Sequence, residues 1–177
     1  MEVFQGRPAD VTGRLEKEIA VYDLLDQLDI PFRRVDHDHA DTMEMCQEID
    51  QALGQDFCKN LFLCNRQKTK FYLLLMPGSK PFKTKDLSAQ IGSSRLSFGG
   101  PEDMERLLHL TPGSVTVLGL MYDPDCQVTL LIDQDLYQQT AFGCHPCINT
   151  STVQFSTADL REKLLPALGH PVTLVQL

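Results

Sequence analysis

One segment limits the possible folds more than any other. Residues Leu61–Cys64 and Phe71–Met76 are apolar and β-prone, and only Asn65-Arg66-Gln67-Lys68 and two further residues separate them. Two such runs around a polar turn predict an antiparallel hairpin. That hairpin is the frame, and Pro77-Gly78 ends its second strand.

The remaining elements alternate around that frame. Leu15, Ile19, Tyr22, Leu25 and Leu28 follow helical spacing, with Thr12 as cap and Pro31 as the limit. Thr42 to Leu53 predicts a helix, Thr84 to Ile91 a shorter one capped by Thr84, and Pro101 to Leu108 a third. Strands are predicted at Phe32–Val35, Arg95–Phe98, Val115–Leu118, Val128–Ile132, from about Ile148 to Phe155, and at Val172–Leu177. Gln134–Tyr137 reads as a turn or short helix. A last helix starts at Thr157, and Pro166 is expected to end it. Hairpins outnumber the crossovers of a regular parallel unit, which predicts an α+β domain with a mixed, strongly curved sheet. Residues 1–11 read as a loose leader and 12–177 as one domain.

Composition narrows the setting. No apolar run approaches the roughly 20 residues of a membrane span, and the N-terminus lacks the pattern of a signal peptide. A cytoplasmic protein with reduced cysteines is expected. The net charge of −8 argues against nonspecific binding to nucleic acid, DNA included. Yet residues 59–95 carry Lys59, Arg66, Lys68, Lys70, Lys80, Lys83, Lys85 and Arg95 against Asp86 alone. Such a basic face fits RNA phosphates, or is simply a solvated charge run.

Chemistry concentrates at Thr140–Phe155. A turn at Gly143 to Pro146 sets His145 on a rigid corner, and Asn149, Thr150, Ser151 and Thr152 follow. An ordinary buried strand does not need so many hydrogen-bonding groups. Lys59 and Asn60 stand at the mouth of the first hairpin strand, and we expect the two strand ends to meet at one pocket. No Gly-x-Ser-x-Gly elbow occurs, and Cys144 and His145 are direct neighbours that point apart on extended chain. Cys144-His145-Pro146-Cys147 is a Cys-x-x-Cys, which leaves redox exchange or a zinc site as an alternative. It lies before a strand rather than a helix, and no second cysteine pair completes a zinc site. Asp36 to Asp41 holds His37 and His39 with three Asp, and reads as a solvated acidic loop rather than a metal site.

Four motifs occur in order: Lys-Asn-Leu-Phe-Leu at 59–63, Arg-Leu-Ser-Phe at 95–98, Thr-Pro-Gly-Ser-Val-Thr at 111–116 and His-Pro-x-x-Asn-Thr-x-Thr at 145–152. Together they resemble the freestanding aminoacyl-tRNA deacylases related to the editing domain of prolyl-tRNA synthetase (the YbaK/ProXp group). The resemblance runs from about residue 12 to the C-terminus. It implies a barrel-like mixed sheet with helices packed around it, and hydrolysis of mischarged aminoacyl-tRNA, Ala-tRNA(Pro) foremost, without a protein nucleophile, cofactor or metal. Lys59 and His145 would be catalytic. Asn60, Arg95, Gly113, Ser114, Gly143, Asn149 and Thr150 would bind substrate, the two loops through backbone N–H groups. The helix from Thr42 would border the pocket as a gate. Implied partners are the acceptor stem and aminoacyl end of the mischarged tRNA, and prolyl-tRNA synthetase. Many members carry an apolar residue where Cys147 stands, which bears on the acyl group removed. A non-catalytic tRNA-binding module on the same fold is the other reading.

Overall fold

The computed structural model describes all residues, 1–177. In place of one barrel-like sheet it has two open sheets. The five-stranded sheet contains β3 (Cys58–Cys64), β4 (Phe71–Pro77), β5 (Ser97–Phe98), β6 (Val128–Asp133) and β9 (Val172–Val175), in the order β5-β3-β4-β6-β9. It is mixed: β3 runs antiparallel to β4 and β5, whereas β4, β6 and β9 are parallel. The four-stranded sheet is fully antiparallel, with β1 (Phe4–Gln5), β2 (Arg33–Asp36), β7 (Ala141–Cys144) and β8 (Ser151–Ser156) in the order β1-β2-β8-β7. Each sheet keeps free edges, so neither closes on itself. The sequence pattern sees strands but not which of them share a sheet, and the barrel expectation failed there.

The predicted hairpin is β3–β4. Asn65 closes it, its side-chain oxygen accepting from the backbone N–H of Thr69 at 2.8 Å and Lys70 at 3.1 Å. On β4, Phe71, Leu73 and Leu75 enter the main core, while Tyr72, Leu74 and Met76 enter a smaller cluster on the other face. That is why the run carries no polar position. The main core also takes Val21, Tyr22 and Leu25 of α1 (Glu16–Gln27), Met104, Leu107 and Leu108 of α4 (Pro101–Leu108), and Phe142, Val153 and Phe155 of the four-stranded sheet. Leu87 of α3 (Thr84–Ile91) covers the far face.

Several local expectations are corrected. Helix α1 begins at Glu16 after an extended Leu15 with no side-chain cap, so Thr12 plays no capping part. Thr84 lies inside α3 rather than capping it. Val117–Tyr122 is a 3-10 helix and not a strand, because the Thr116 side chain accepts from Leu118 N–H and turns the chain. Phe4 and Gln5 pair with β2, so the leader is partly fixed. Pro166 does not end the last helix. The chain passes from α6 (Thr157–Asp159) through a π turn, Leu160–Leu164, into α7 (Leu165–Leu168). In the π turn Leu165 N–H bonds back to Leu160 O, which re-registers the ladder so that Pro166 falls where no donor is needed. By contrast α2 (Met43–Leu53) is as expected, with the Thr42 hydroxyl accepting from Met45 N–H and Gly54 closing it in the left-handed region. No helix is long and apolar enough to cross a membrane.

Candidate active site

A cavity of about 120 Å³ lies where β3, β7, β8 and α2 converge. Cys58 and Asn60 reach it from β3, Gly143 and Cys144 from β7, and Thr152 from β8. Cys46, Ile49 and Asp50 of α2 close one side, with Ala40 and Phe57 beside them. His145 leaves the end of β7 and completes the wall. At roughly 30 Å³ per liquid water, the space equals about four waters.

Two of its polar groups are poised for a ligand. The His145 ring puts Nδ1 at 2.8 Å from Ser151 O, so Nδ1–H donates to that carbonyl. Burial, more than the nearby His37, pushes its pKa down. The neutral ring therefore keeps an Nε2 lone pair. Asn60 donates through Nδ2 to Cys58 Sγ at 3.4 Å, while its Oδ1 is buried with no partner. A buried acceptor without a partner is rare in a folded protein, and this one belongs to a residue of the cavity wall.

The supporting residues were not visible as such in the sequence. The His37 ring centroid is 6.1 Å from that of His145. His37 donates through Nδ1 to Asp38 O at 2.7 Å and takes Thr152 Oγ1–H on Nε2 at 2.9 Å. Its predicted setting, a solvated acidic loop, overlooked this link, which the excess of polar residues at 149–152 signalled from the other side. Just before it, Asp36 is bound by Arg14 at 2.9 Å, by Arg34 and by Ser151 Oγ at 3.0 Å. Burial pushes the Asp36 carboxyl up, but the two guanidinium groups outweigh it and hold it at about 2. This knot fixes β2 against β8 at the level of the two histidines.

The expected site residues divide into three groups. Asn60, Gly143 and His145 share the cavity. Asn149 and Thr150 line a larger groove of about 580 Å³ on the other side of segment 39–41, along with His39 and Asp41. Asn149 pins that partition, its Oδ1 accepting from Ala40 N–H at 3.1 Å and its Nδ2 donating to Asp41 at 2.8 Å. Gly113 (φ 89°) packs against Asn149, where a Cβ would lie 3.1 Å from Nδ2. Ser114 is buried and its N–H is spent on Thr111 O at 3.0 Å. Lys59 and Arg95 form the third group, away from the cavity. Neighbouring strand residues face opposite sides, and the Lys59 ammonium donates to Lys80 O on the side opposite Asn60. Arg95 lines a shallow depression with Thr84, Lys85 and Ser88.

The cysteines form no reactive pair. Burial pushes the Cys58 and Cys147 thiols up to about 12, and Cys144 higher still. A redox dithiol needs the opposite shift. No group of three or more His, Cys, Asp or Glu is placed to hold a metal. Native protein is expected to react with an alkylating agent at Cys46 and Cys126, the exposed thiols, and to spare Cys144 and Cys147. Peptide mapping by mass spectrometry checks this, and rapid labelling of Cys144 at neutral pH would contradict the assignment.

The cavity is a candidate small-ligand site built at the meeting of two sheets. The family model for the aminoacyl-tRNA editing domain matches residues 37–163, which contain every residue that lines the cavity. The chain belongs to the aminoacyl-tRNA editing family, a class of aminoacyl-tRNA deacylases. It is 31% identical over 163 residues to the prolyl-tRNA editing protein ProX of Acetoanaerobium sticklandii, covering 92% of this chain and 99% of that one. It is 28% identical over 169 residues to prolyl-tRNA synthetase associated domain-containing protein 1 of Danio rerio, covering 94% and 88%. A crystal structure of a protein proposed as a trans-editing enzyme for prolyl tRNA synthetase shares the fold, with a TM-score of 0.65 at 16% identity over 92% of this chain and 98% of the other.

Proposed function

We propose that this protein removes a small, wrongly attached amino acid from tRNA, with Ala-tRNA(Pro) as its substrate. The observation that carries this reading is the small cavity walled by both Asn60, whose buried Oδ1 has no partner, and His145, whose Nε2 accepts no bond from the protein. The α-ammonium of the aminoacyl group supplies the donor that Asn60 lacks. The ester carbonyl then sits within reach of a water held on His145 Nε2. The imidazole takes a proton from that water as it attacks the carbonyl, and returns it to the departing ribose oxygen. No protein nucleophile is required, since the buried thiols hold their protons. The family relative named a prolyl-tRNA editing protein supports tRNA(Pro) as the carrier.

The rest of the tRNA end lies outside the cavity. Asn149 and Thr150 in the neighbouring groove receive the nucleotides that precede the terminal ribose, while that ribose stays with the ester at the cavity mouth beside His145. Lys59, once it releases Lys80 O, contacts a backbone phosphate, and Lys85 with Arg95 continues the basic face toward the acceptor stem. Prolyl-tRNA synthetase is the partner that recharges the freed tRNA.

The test is release of radiolabelled amino acid from a panel of mischarged tRNAs. Alanyl ester on tRNA(Pro) is expected to be lost fastest, and prolyl ester to be spared. Because burial lowers the His145 pKa, kcat is expected to rise with pH on a limb below the roughly 6.5 of a free imidazole. Ester loss no faster than the blank on every tRNA would refute the proposal. Saturable binding without turnover would instead make the chain a tRNA-binding module.

A further inference from the structure

Phe57 sits at the turn from α2 into β3 and lines the cavity. Its ring lies against Gly143 of β7, so close that a Cβ on that glycine would run into it. Its carbonyl packs on Gly78 with the same lack of room. Its N–H donates to Asp50 Oδ1 at 3.3 Å, which ties it to α2. The side chain also packs on the Val35, Ile49 and Leu53 cluster. The backbone of Phe57 is thus tied through its N–H and close-packed at its carbonyl, while the ring is wedged between Gly143 and the Val35, Ile49 and Leu53 cluster. A ring packed on both of those sides has little room to swing aside for a longer ligand.

We propose that Phe57 determines acyl specificity, as the rigid wall that sets how large an amino-acid side chain the cavity admits. This rests on the deacylase reading above, and it names the residue that reading leaves open. Asn60, which anchors the aminoacyl group, and His145, which holds the water, are polar and indifferent to side-chain size. Exclusion must come from an apolar surface, which Ala40, Ile49 and Phe57 supply together with the Cys46, Cys58 and Cys144 side chains. Ala40 has nothing further to lose, and Ile49 is part of the α2 core stripe. Phe57 is the one large ring in the wall. Gly143 is its complement, since any side chain there would displace the ring.

The experiment measures kcat/KM for the native chain, Phe57→Leu and Phe57→Ala on one tRNA carrying alanyl, valyl or leucyl ester. One extra methylene in an apolar pocket changes discrimination about 10–200-fold. Valyl-tRNA hydrolysis is accordingly expected to rise roughly 10-fold or more in Phe57→Ala, with Phe57→Leu between the two, and leucyl-tRNA to become a substrate only with Ala at this position. Alanyl-tRNA hydrolysis is expected to change less than either. Unfolding would lower all three esters together and would not produce this ordering, and Phe57→Leu guards against an Ala variant too loose to fold. A native chain that hydrolyses alanyl ester, with variants whose order of preference stays the same, overturns the role of Phe57. A native chain that hydrolyses none of the esters overturns the deacylase reading, and this proposal with it.

Discussion

His145→Ala is expected to lower kcat for alanyl-tRNA deacylation by about 100-fold or more, within the range for loss of a positioned proton-transfer group. The ring is oriented by Nδ1–H to Ser151 O at 2.8 Å, with Thr152 Oγ1 a longer neighbour of the same nitrogen at 3.5 Å, so the tautomer that leaves Nε2 open is set by β8 itself. KM is expected to change little, because the imidazole handles the water rather than the amino acid. Asn60→Ala separates from it by the reverse pattern. Removing the acceptor for an ammonium costs about 1.5–3 kcal/mol, or roughly 10- to 100-fold, and the loss is expected chiefly in KM. Lys59→Ala lies on the opposite face of β3, so its effect is expected to be a weaker salt dependence of KM with kcat retained. Steady-state kinetics on the three variants, with circular dichroism to confirm folding, decides the matter. A His145→Ala enzyme with native kcat would remove the imidazole from the chemistry.

This separation of Lys59 from Asn60 also shows what a sequence can and cannot disclose. The alternation rule already puts adjacent strand residues on opposite faces, so a site containing both ammonium and amide needed a bulge that β3 lacks. Its pairing with β4 is continuous from Cys58 to Cys64. The hairpin itself was legible because Asn65 and an uninterrupted apolar run are local signals. Helices α2 and α4 were legible for the same reason, through Thr42 and Pro101. The 3-10 helix was not, since Val115 and Val117 imitate a strand until the Thr116 hydroxyl turns the chain. The site divides along the same line. His145 and the Asn149–Thr152 run announced themselves by polarity where none was needed. Phe57, Ile49 and His37 are ordinary residues whose roles exist only after β2, β3 and β7 have met. The two-sheet arrangement was hidden likewise, because register and partner are properties of pairs of strands.

Asp123→Ala is expected to be the most destabilising single change that leaves the site intact. The Asp123 carboxylate is buried and accepts three bonds: from Gln127 N–H at 2.9 Å, Val128 N–H at 2.8 Å and His170 Nε2 at 3.0 Å. His170 is equally buried, and its Nδ1 faces Leu168 O at 3.1 Å. The carboxylate therefore starts β6 and holds the chain as it enters β9, although 47 residues separate the two side chains. Truncation leaves two backbone donors and an imidazole without acceptors in a site that water does not reach. Leaving buried donors without an acceptor costs about 1–3 kcal/mol each, or about 3–5 kcal/mol for the three after partial relaxation, a large share of the 5–15 kcal/mol that ordinarily holds a domain together. At about 2–4 °C per kcal/mol for a chain of this size, thermal unfolding is expected roughly 6–20 °C lower. Asp123→Asn keeps an acceptor for one of the backbone donors and is expected to lose less. None of the cavity-lining residues touches Asp123 through a hydrogen bond, so deacylation by the folded fraction at low temperature is expected to match the native chain. An unfolding midpoint within about 2 °C of native would mean that β6 and β9 are held by their ladder and core contacts alone.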